Sequence, residues 1–332
     1  MNKRSYTTPI SVLDLATIGR GKTAADAFKN SLDLARKAEH WGYQRFWLAE
    51  HHNMESVASS ATSVLIGHIA GGTSTIRVGS GGIMLPNHAP LVIAEQFGTL
   101  ASLYPGRIDL GLGRAPGTDQ VTARALRRER VETVQDFPND VEELLQYFSI
   151  ENKRGRVRAI PGEGLDIPVW ILGSSLFSAE LAAKMGLPYA FASHFAPTHF
   201  EQALALYREN FQPSEYLQAP YVMACVNVMA ADTDQEAQFL ATSFYQLALG
   251  MIRGTRNPLP PPVENMEKLW MPHEAAAVQQ MLAYTFIGGP MSIKTDLRAF
   301  IDRHEVDEVM IVSHIYDHGA RLRSYEIVAD ML

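Results

Sequence analysis

The sequence predicts a barrel of eight parallel strands alternating with helices, the (β/α)8 class. Short apolar runs recur eight times along the 332 residues, at 10–16, 45–50, 76–85, 107–113, 169–173, 189–193, 222–230 and 308–313. Most are continuously apolar, which suits strands buried on both faces of a parallel sheet. Helical patterns fill the gaps. Ala27, Leu34, Ala38 and Trp41 draw one apolar stripe, and Ile93, Phe97, Leu100 and Tyr104 draw another. Eight such units form a closed barrel, although a doubly wound open sheet shares the same periodicity.

Taken in chain order, the N-terminal stretch carries two basic residues ahead of a short apolar run, so it reads as a first strand and not as a cleaved leader. The second run ends in AEHHN (49–53), the third in LPNH (85–88) and the fourth in GLGRAPG (111–117). The fifth ends in GSS (173–175), the sixth in SHFAP (193–197) and the eighth in SHIYDH (313–318). In a parallel barrel the C-terminal strand ends line the functional site. Six of the eleven histidines fall there: His51, His52, His88, His194, His314 and His318. That clustering points to one shared site.

Two segments exceed a minimal unit. Residues 115–138 carry Arg124, Arg127, Arg128 and Arg130, and residues 250–289 contain PLPPP at 258–262. Each reads as either a functional lid or an extra surface helix. Dividing the length by about 150 residues per domain suggests two domains. No linker or composition break supports a split, so residues 1–332 read as one barrel domain with two insertions.

Composition narrows the function classes. With 46% hydrophobic and 20% charged residues, the chain can bury a core, which excludes general disorder. A net charge of −7 argues against a nucleic-acid partner. The one cysteine, Cys225, forms no internal disulfide or cysteine zinc cluster and reads as a small buried hydrophobe in the seventh strand. No apolar run reaches about 18 residues, so no membrane span is expected. The expectation is a cytoplasmic enzyme acting on a small molecule.

The motifs suggest an anionic cofactor. Adjacent residues on a strand face opposite ways, so one of His51 and His52 faces the barrel mouth; His51 is favoured, with Glu50 and His52 on the other side. GLGRAPG has proline where a dinucleotide fingerprint needs its third glycine. It reads instead as a glycine-lined turn presenting Arg114, either to a phosphate or to a nearby acid. Gly173, Ser174, Ser175 and Ser178 lead from a strand into a helix, where first-turn N–H groups favour an anion or serine simply caps the helix. Gly81 and Gly82 lie within a strand, marking either a flat ligand or a bulge. A metal held by His51, His194 and an acid is an alternative, but no HxH or HExxH spacing supports it, and no metal is expected. No GxSxG, Walker A or CxxC motif is present.

FWLAEHHN, VGSGGIMLPNHAPLVIAEQFGTLASLYPGRIDLGLGRAPG, VWILGSS and the closing DEVMIVSHIYDHGARLRSYEIVADML resemble the bacterial-luciferase-like flavin-dependent monooxygenases across nearly the whole chain. The resemblance implies a homodimeric barrel that uses reduced FMN, supplied by a separate reductase, with dioxygen to oxygenate a small organic substrate through a flavin hydroperoxide. It implies His51 as the catalytic residue and Arg114, Ser174, Ser175 and Ser178 at the flavin phosphate. Gly81 and Gly82 match a stretch where a non-prolyl cis peptide presses on the flavin ring, and Asp14, His194 and His314 face the ring or substrate. Some relatives use a deazaflavin for hydride transfer, which stays as an alternative beside a non-catalytic flavin carrier and a metal-dependent barrel hydrolase. The cysteine of light-emitting members has no counterpart, so light emission is not implied.

Overall fold

The computed structural model describes residues 8–115, 117–127 and 136–331. Pro116, Arg128, Arg130 and the first seven residues lie outside them, as does the side chain of Arg127. The strands are β1 (Ile10–Asp14), β2 (Arg45–Leu48), β3 (Arg77–Met84), β4 (Ile108–Gly113), β5 (Val169–Gly173), β6 (Tyr189–Phe191), β7 (Val222–Ala230), β8 (Thr285–Gly288) and β9 (Glu308–Val312). The helices are α1 (Ala24–His40), α2 (Thr62–Gly71), α3 (Pro90–Leu103), α4 (Gln120–Arg127), α5 (Phe137–Phe148), α6 (Leu176–Met185), α7 (Phe200–Asn210), α8 (Asp234–Ile252), α9 (Pro272–Met281), α10 (Pro290–His304) and α11 (His318–Ala329).

Parallel pairing runs in order from β1 to β7, then to β9 and back to β1, closing an eight-stranded barrel. Closure decides against the open sheet. All eight expected strands are present, and β8 is a ninth that the periodicity missed. The reason lies in β7, which outruns the barrel. Its Met223–Asn227 half pairs with β9, and its Asn227–Ala230 half takes β8 on the opposite edge, beyond the end of β6. Four residues, TFIG, between helical stretches carry too little periodicity to register as a strand. The 250–289 segment therefore holds an extra helix, α9, and an extra strand. The described part of 115–138 holds α4.

Side chains alternate between two buried layers, which explains the continuous apolar runs. Phe46 and Leu48 pack outward against the helices, while Trp47 and Ala49 point into the barrel. The outer layer meets the expected stripes: Leu34, Ala38, Ile93 and Phe97 are fully buried. The inner layer holds Leu13, Trp47, Trp170, Met223, Cys225 and Met310, with the two indoles edge-to-face at 5.2 Å. Each large side chain buried this way contributes about 1.5–3 kcal/mol. Among the described residues, no helix is long and apolar enough to cross a membrane.

The N-terminal mouth of the barrel is closed by charge. Asp109, fully buried, accepts from Arg45 Nη1 (2.8 Å), Trp47 Nε1 (3.1 Å) and Arg77 Nη2 (2.6 Å). Glu308, also fully buried, accepts from Arg45 Nε (3.0 Å), the Tyr221 hydroxyl (2.9 Å) and the Ser11 hydroxyl. Arg45 thus joins two buried carboxylates, so removing one strands buried cations. Asp109→Ala is expected to lower stability by about 3–5 kcal/mol in urea unfolding.

Candidate active site

The opposite mouth is built from the strand ends. Beyond β2, Glu50 is 1% exposed, and its Oε1 accepts from His52 Nε2 and from His88 Nε2, each at 2.8 Å. Its Oε2 accepts from the Met84 N–H at 3.0 Å. Burial alone would raise its pKa; the bonds from His52, His88 and Met84 outweigh that and hold it at about 2. One ionised carboxylate thereby ties the end of β2 to the turn after β3. Glu50 and His52 share a side, as expected, and His51 is left on the other. His51 is half-buried, and its Nδ1 is out of solvent with no hydrogen-bond partner among the described residues.

His194 follows β6. Its backbone carbonyl accepts from Asn227 Nδ2 at 2.6 Å, at the residue where β7 leaves the barrel. His314 follows β9 and stacks on Phe244 with ring centroids 4.4 Å apart. Burial, then the neighbouring imidazoles of His314 and His51, push His194 down to about 3. Burial, then the Arg321 guanidinium, push His314 to about 3. Burial also lowers His51. At neutral pH this is a group of uncharged imidazoles. Asp14 Oδ1 accepts from Arg321 Nη2 (2.8 Å) and from the Ala16 N–H (3.2 Å), and its Oδ2 is buried without a partner among the described residues. Nδ1 of His194 and of His314 are likewise buried and unpartnered.

Beside these groups β3 presents bare backbone. The Gly81–Gly82 peptide is cis, and the β3–β4 register breaks between Ser80 and Ile83. Ser80 Oγ bridges the break, donating to Gly111 O (2.8 Å) and accepting from Gly111 N (3.0 Å). A Cβ at Gly82 would fall 2.8 Å from Gly111 O, so the strands meet too closely for a side chain there.

On the rim, Arg114 follows β4 and Ser174 and Ser175 follow β5, two strands paired through Gly113 and Leu172. The Arg114 guanidinium lies 4.2 Å from the centre of the Phe177 ring and has no acid within ion-pair distance among the described residues. Ser175 stands at the N-cap of α6, but its side chain makes no capping bond. The first-turn N–H groups are therefore open to an anion. Ser178 is placed differently. It is 3% exposed, donates to Ser175 O (2.8 Å) and meets the Tyr189 hydroxyl at 3.1 Å. A Cβ at Gly173 would fall 2.1 Å from Ser178 Oγ. Gly173 and Ser178 thus shape the turn that Ser174, Ser175 and Arg114 front.

The structure brings Asp14, His51, His194 and His314 to one mouth with Gly81 and Gly82. His52 and His88 serve Glu50, and His318 Nε2 lies 2.9 Å from Asp33 Oδ2. Sequence reasoning missed Asn227, Phe244 and Arg321. Arg321 sits three helical residues into α11, where only the tertiary pairing with Asp14 reveals it. Among the described residues, no group of three or more His, Cys, Asp and Glu side chains is placed to hold a metal ion.

The family described as luciferase-like monooxygenase matches residues 8–302. The chain belongs to the luciferase-like monooxygenase family. A luciferase-like monooxygenase of Escherichia coli strain K12 is 54% identical over 325 residues, covering 98% of this chain and 97% of its own. The Bacillus subtilis protein YvbT is 59% identical over 331 residues, covering 99% and 98%. N-acetyl-S-alkylcysteine monooxygenase of Bacillus subtilis is 42% identical over 187 residues, covering 55% and 56%. The crystal structure of apo-MsnO8 superposes with a TM-score of 0.87 at 34% identity, covering 98% of both chains. Two more distant structures share the fold. One is the oxygenating constituent of 3,6-diketocamphane monooxygenase from Pseudomonas putida in complex with FMN (TM-score 0.71, 16% identity, covering 98% and 97%). The other is an F420-dependent secondary alcohol dehydrogenase with an F420-acetone adduct (TM-score 0.70, 13% identity, covering 98% of both). Membership of the luciferase-like monooxygenases makes this chain an oxidoreductase, and the C-terminal mouth is where its chemistry-bearing side chains meet.

The neutral imidazoles of this luciferase-like monooxygenase set a pH dependence. His194 and His314 titrate near 3 when folded and near the ordinary 6.5 when unfolded. Between those values the unfolded chain binds protons that the folded chain refuses, so acid favours unfolding. Urea stability is expected to fall as pH drops below about 6.5, and His194→Gln is expected to flatten that slope.

Proposed function

We propose that this protein is a flavin-dependent monooxygenase that uses reduced FMN and dioxygen to oxygenate a small organic molecule. The observation that carries this is the pairing of Arg114, free of any acid partner among the described residues, with the uncapped N-terminus of α6 on neighbouring strand ends. An arginine fork beside open N–H groups suits a phosphate monoester. The rest of the mouth fits a flat ring with polar edges. Gly81 and Gly82 present backbone without side chains along that stretch of β3, and the unpartnered Nδ1 atoms of His51, His194 and His314 offer the ring's edge hydrogen bonds.

Bound reduced flavin supplies the electrons that activate dioxygen, leaving one oxygen atom in the product and one in water. The residues do the remaining work. Arg114, Ser174 and Ser175 would hold the phosphate, while Ser178 and Gly173 fix the turn that carries them. His51 can hold or release a proton at Nδ1, an atom shielded from bulk water. Glu50 keeps His52 and His88 engaged, so His51 alone of the AEHH pair is free to act. Neutral His194 and His314 add hydrogen bonds without adding charge. A separate reductase supplies the reduced flavin, since GLGRAPG lacks the nicotinamide fingerprint's third glycine.

Two variants test this reading. Arg114→Ala is expected to weaken FMN binding about 10- to 100-fold while leaving riboflavin, which lacks the phosphate, unchanged in fluorescence titration. Equal losses for both flavins would place the phosphate elsewhere. His51→Ala is expected to bind FMN as the parent does and to lose about 10²- to 10⁴-fold in oxygen consumption coupled to product. Retained turnover would remove His51 from the chemistry.

A further inference from the structure

A cavity of about 260 Å³ opens beside this mouth, between the N-terminal ends of α1 and α11. In the closed strand order β1 and β9 stand across the barrel from β4 and β5, so the cavity faces away from the Arg114 rim. Its roof is fixed. Leu259 of the 250–289 segment donates its N–H to Ile18 O (2.9 Å), and its carbonyl accepts from Arg20 N (2.7 Å).

Two lining residues carry buried polar atoms with no partner among the described residues: Ser313 Oγ, on a residue 2% exposed, and His314 Nδ1, on a residue 7% exposed. Such atoms are costly unless something meets them. His318 adds a third. Its Nε2 is turned to the Asp33 carboxylate, which in the neutral ring leaves Nδ1 as an unmet acceptor. The lining is charged in balance, with Lys22 and Arg321 as cations and Asp26 and Asp317 as carboxylates. Arg321 is matched from behind by Asp14, and the two carboxylates cap their own helices, Asp26 toward Thr23 and Asp317 toward Ala320. Lys22 has no ion pair among the described residues. Ala27, Leu259 and Ile315 supply an apolar wall.

We propose that this cavity binds a small zwitterion of α-amino-acid size, with its carboxylate on the Lys22 side and its ammonium toward the aspartates and His318. Its hydrocarbon part then lies on Leu259 and Ile315. The volume holds one molecule of that size. The two cations and two carboxylates of the lining balance, so an occupant with one charge of each sign keeps that balance, whereas an anion or a cation alone breaks it. His314 belongs both to the cavity wall and to the imidazole group, so the occupant sits next to the centre. Its service as a substrate rests on the monooxygenase reading; its binding does not.

The test is calorimetric titration of the full chain, without flavin, using three probes of one shape. L-leucine carries both charges, N-acetyl-L-leucine lacks the ammonium, and L-leucinamide lacks the carboxylate. L-leucine is expected to bind saturably and each derivative about tenfold more weakly, the weight of one charge-assisted hydrogen bond. Lys22 is exposed, so Lys22→Met keeps the fold; it is expected to weaken L-leucine about tenfold and leave L-leucinamide unchanged. Absent saturation, equal binding of the three probes, or an unaltered Lys22→Met overturns the proposal. A parallel FMN titration separates the two readings. Lost FMN binding with intact L-leucine binding overturns only the cofactor assignment, and the reverse overturns only the cavity.

Discussion

Closure of the barrel leaves none of its eight strands with a solvent face, and most of the molecule follows from that. Each strand buries one side chain against helices and the next against the barrel interior, as Phe46 and Trp47 do. Polar groups are then affordable only at the two strand ends. At the N-terminal end the charges pair, with Arg45, Arg77, Asp109 and Glu308 satisfying one another around Trp47 and Tyr221, and only the neutral Trp170 Nε1 is left there without a partner among the described residues. At the C-terminal end they do not. Asp14, His51, His194 and His314 each retain a buried atom with nothing to bond among the described residues.

That contrast separates stability from function within one barrel. The lower mouth gathers four opposing charges at short range and draws its stability from their balance. The upper mouth holds its imidazoles neutral by burial, and its orphan atoms persist only because rigid neighbours position them. Glu50 is the chief of these, since a single carboxylate fixes two histidines and a backbone N–H and so sets the direction of the residue between them. Asn227 does the same for His194 from the point where β7 leaves the barrel. The proposed cofactor, a flat ring with a phosphate tail, would meet the Arg114 guanidinium at the rim and neutral imidazoles at the centre.

Much of this was legible in the sequence. Continuous runs such as 222–230 read as strands because burial on both faces leaves no polar alternation, and strand-end motifs such as AEHH and GLGRAPG lie at the C-terminal mouth as their spacing implied. What escaped depends on tertiary contacts. β8 exists because β7 overshoots the barrel, and TFIG alone carries no such sign. Ser178 looks like an anion ligand by position, yet the missing Cβ of Gly173 lets it fold beneath the turn. Arg321 and Phe244 matter through partners far away in the chain, Asp14 and His314, and periodicity is blind to such pairs.

The central claim is that the upper mouth is a site for reduced FMN. Anaerobic titration of the intact protein with reduced FMN, set against the reduced deazaflavin F420, tests it most directly. The account predicts saturable one-to-one binding of reduced FMN, and consumption of dioxygen when air is admitted with an oxidisable substrate. Failure to saturate with FMN, or tighter binding of the deazaflavin with no use of oxygen, would contradict it.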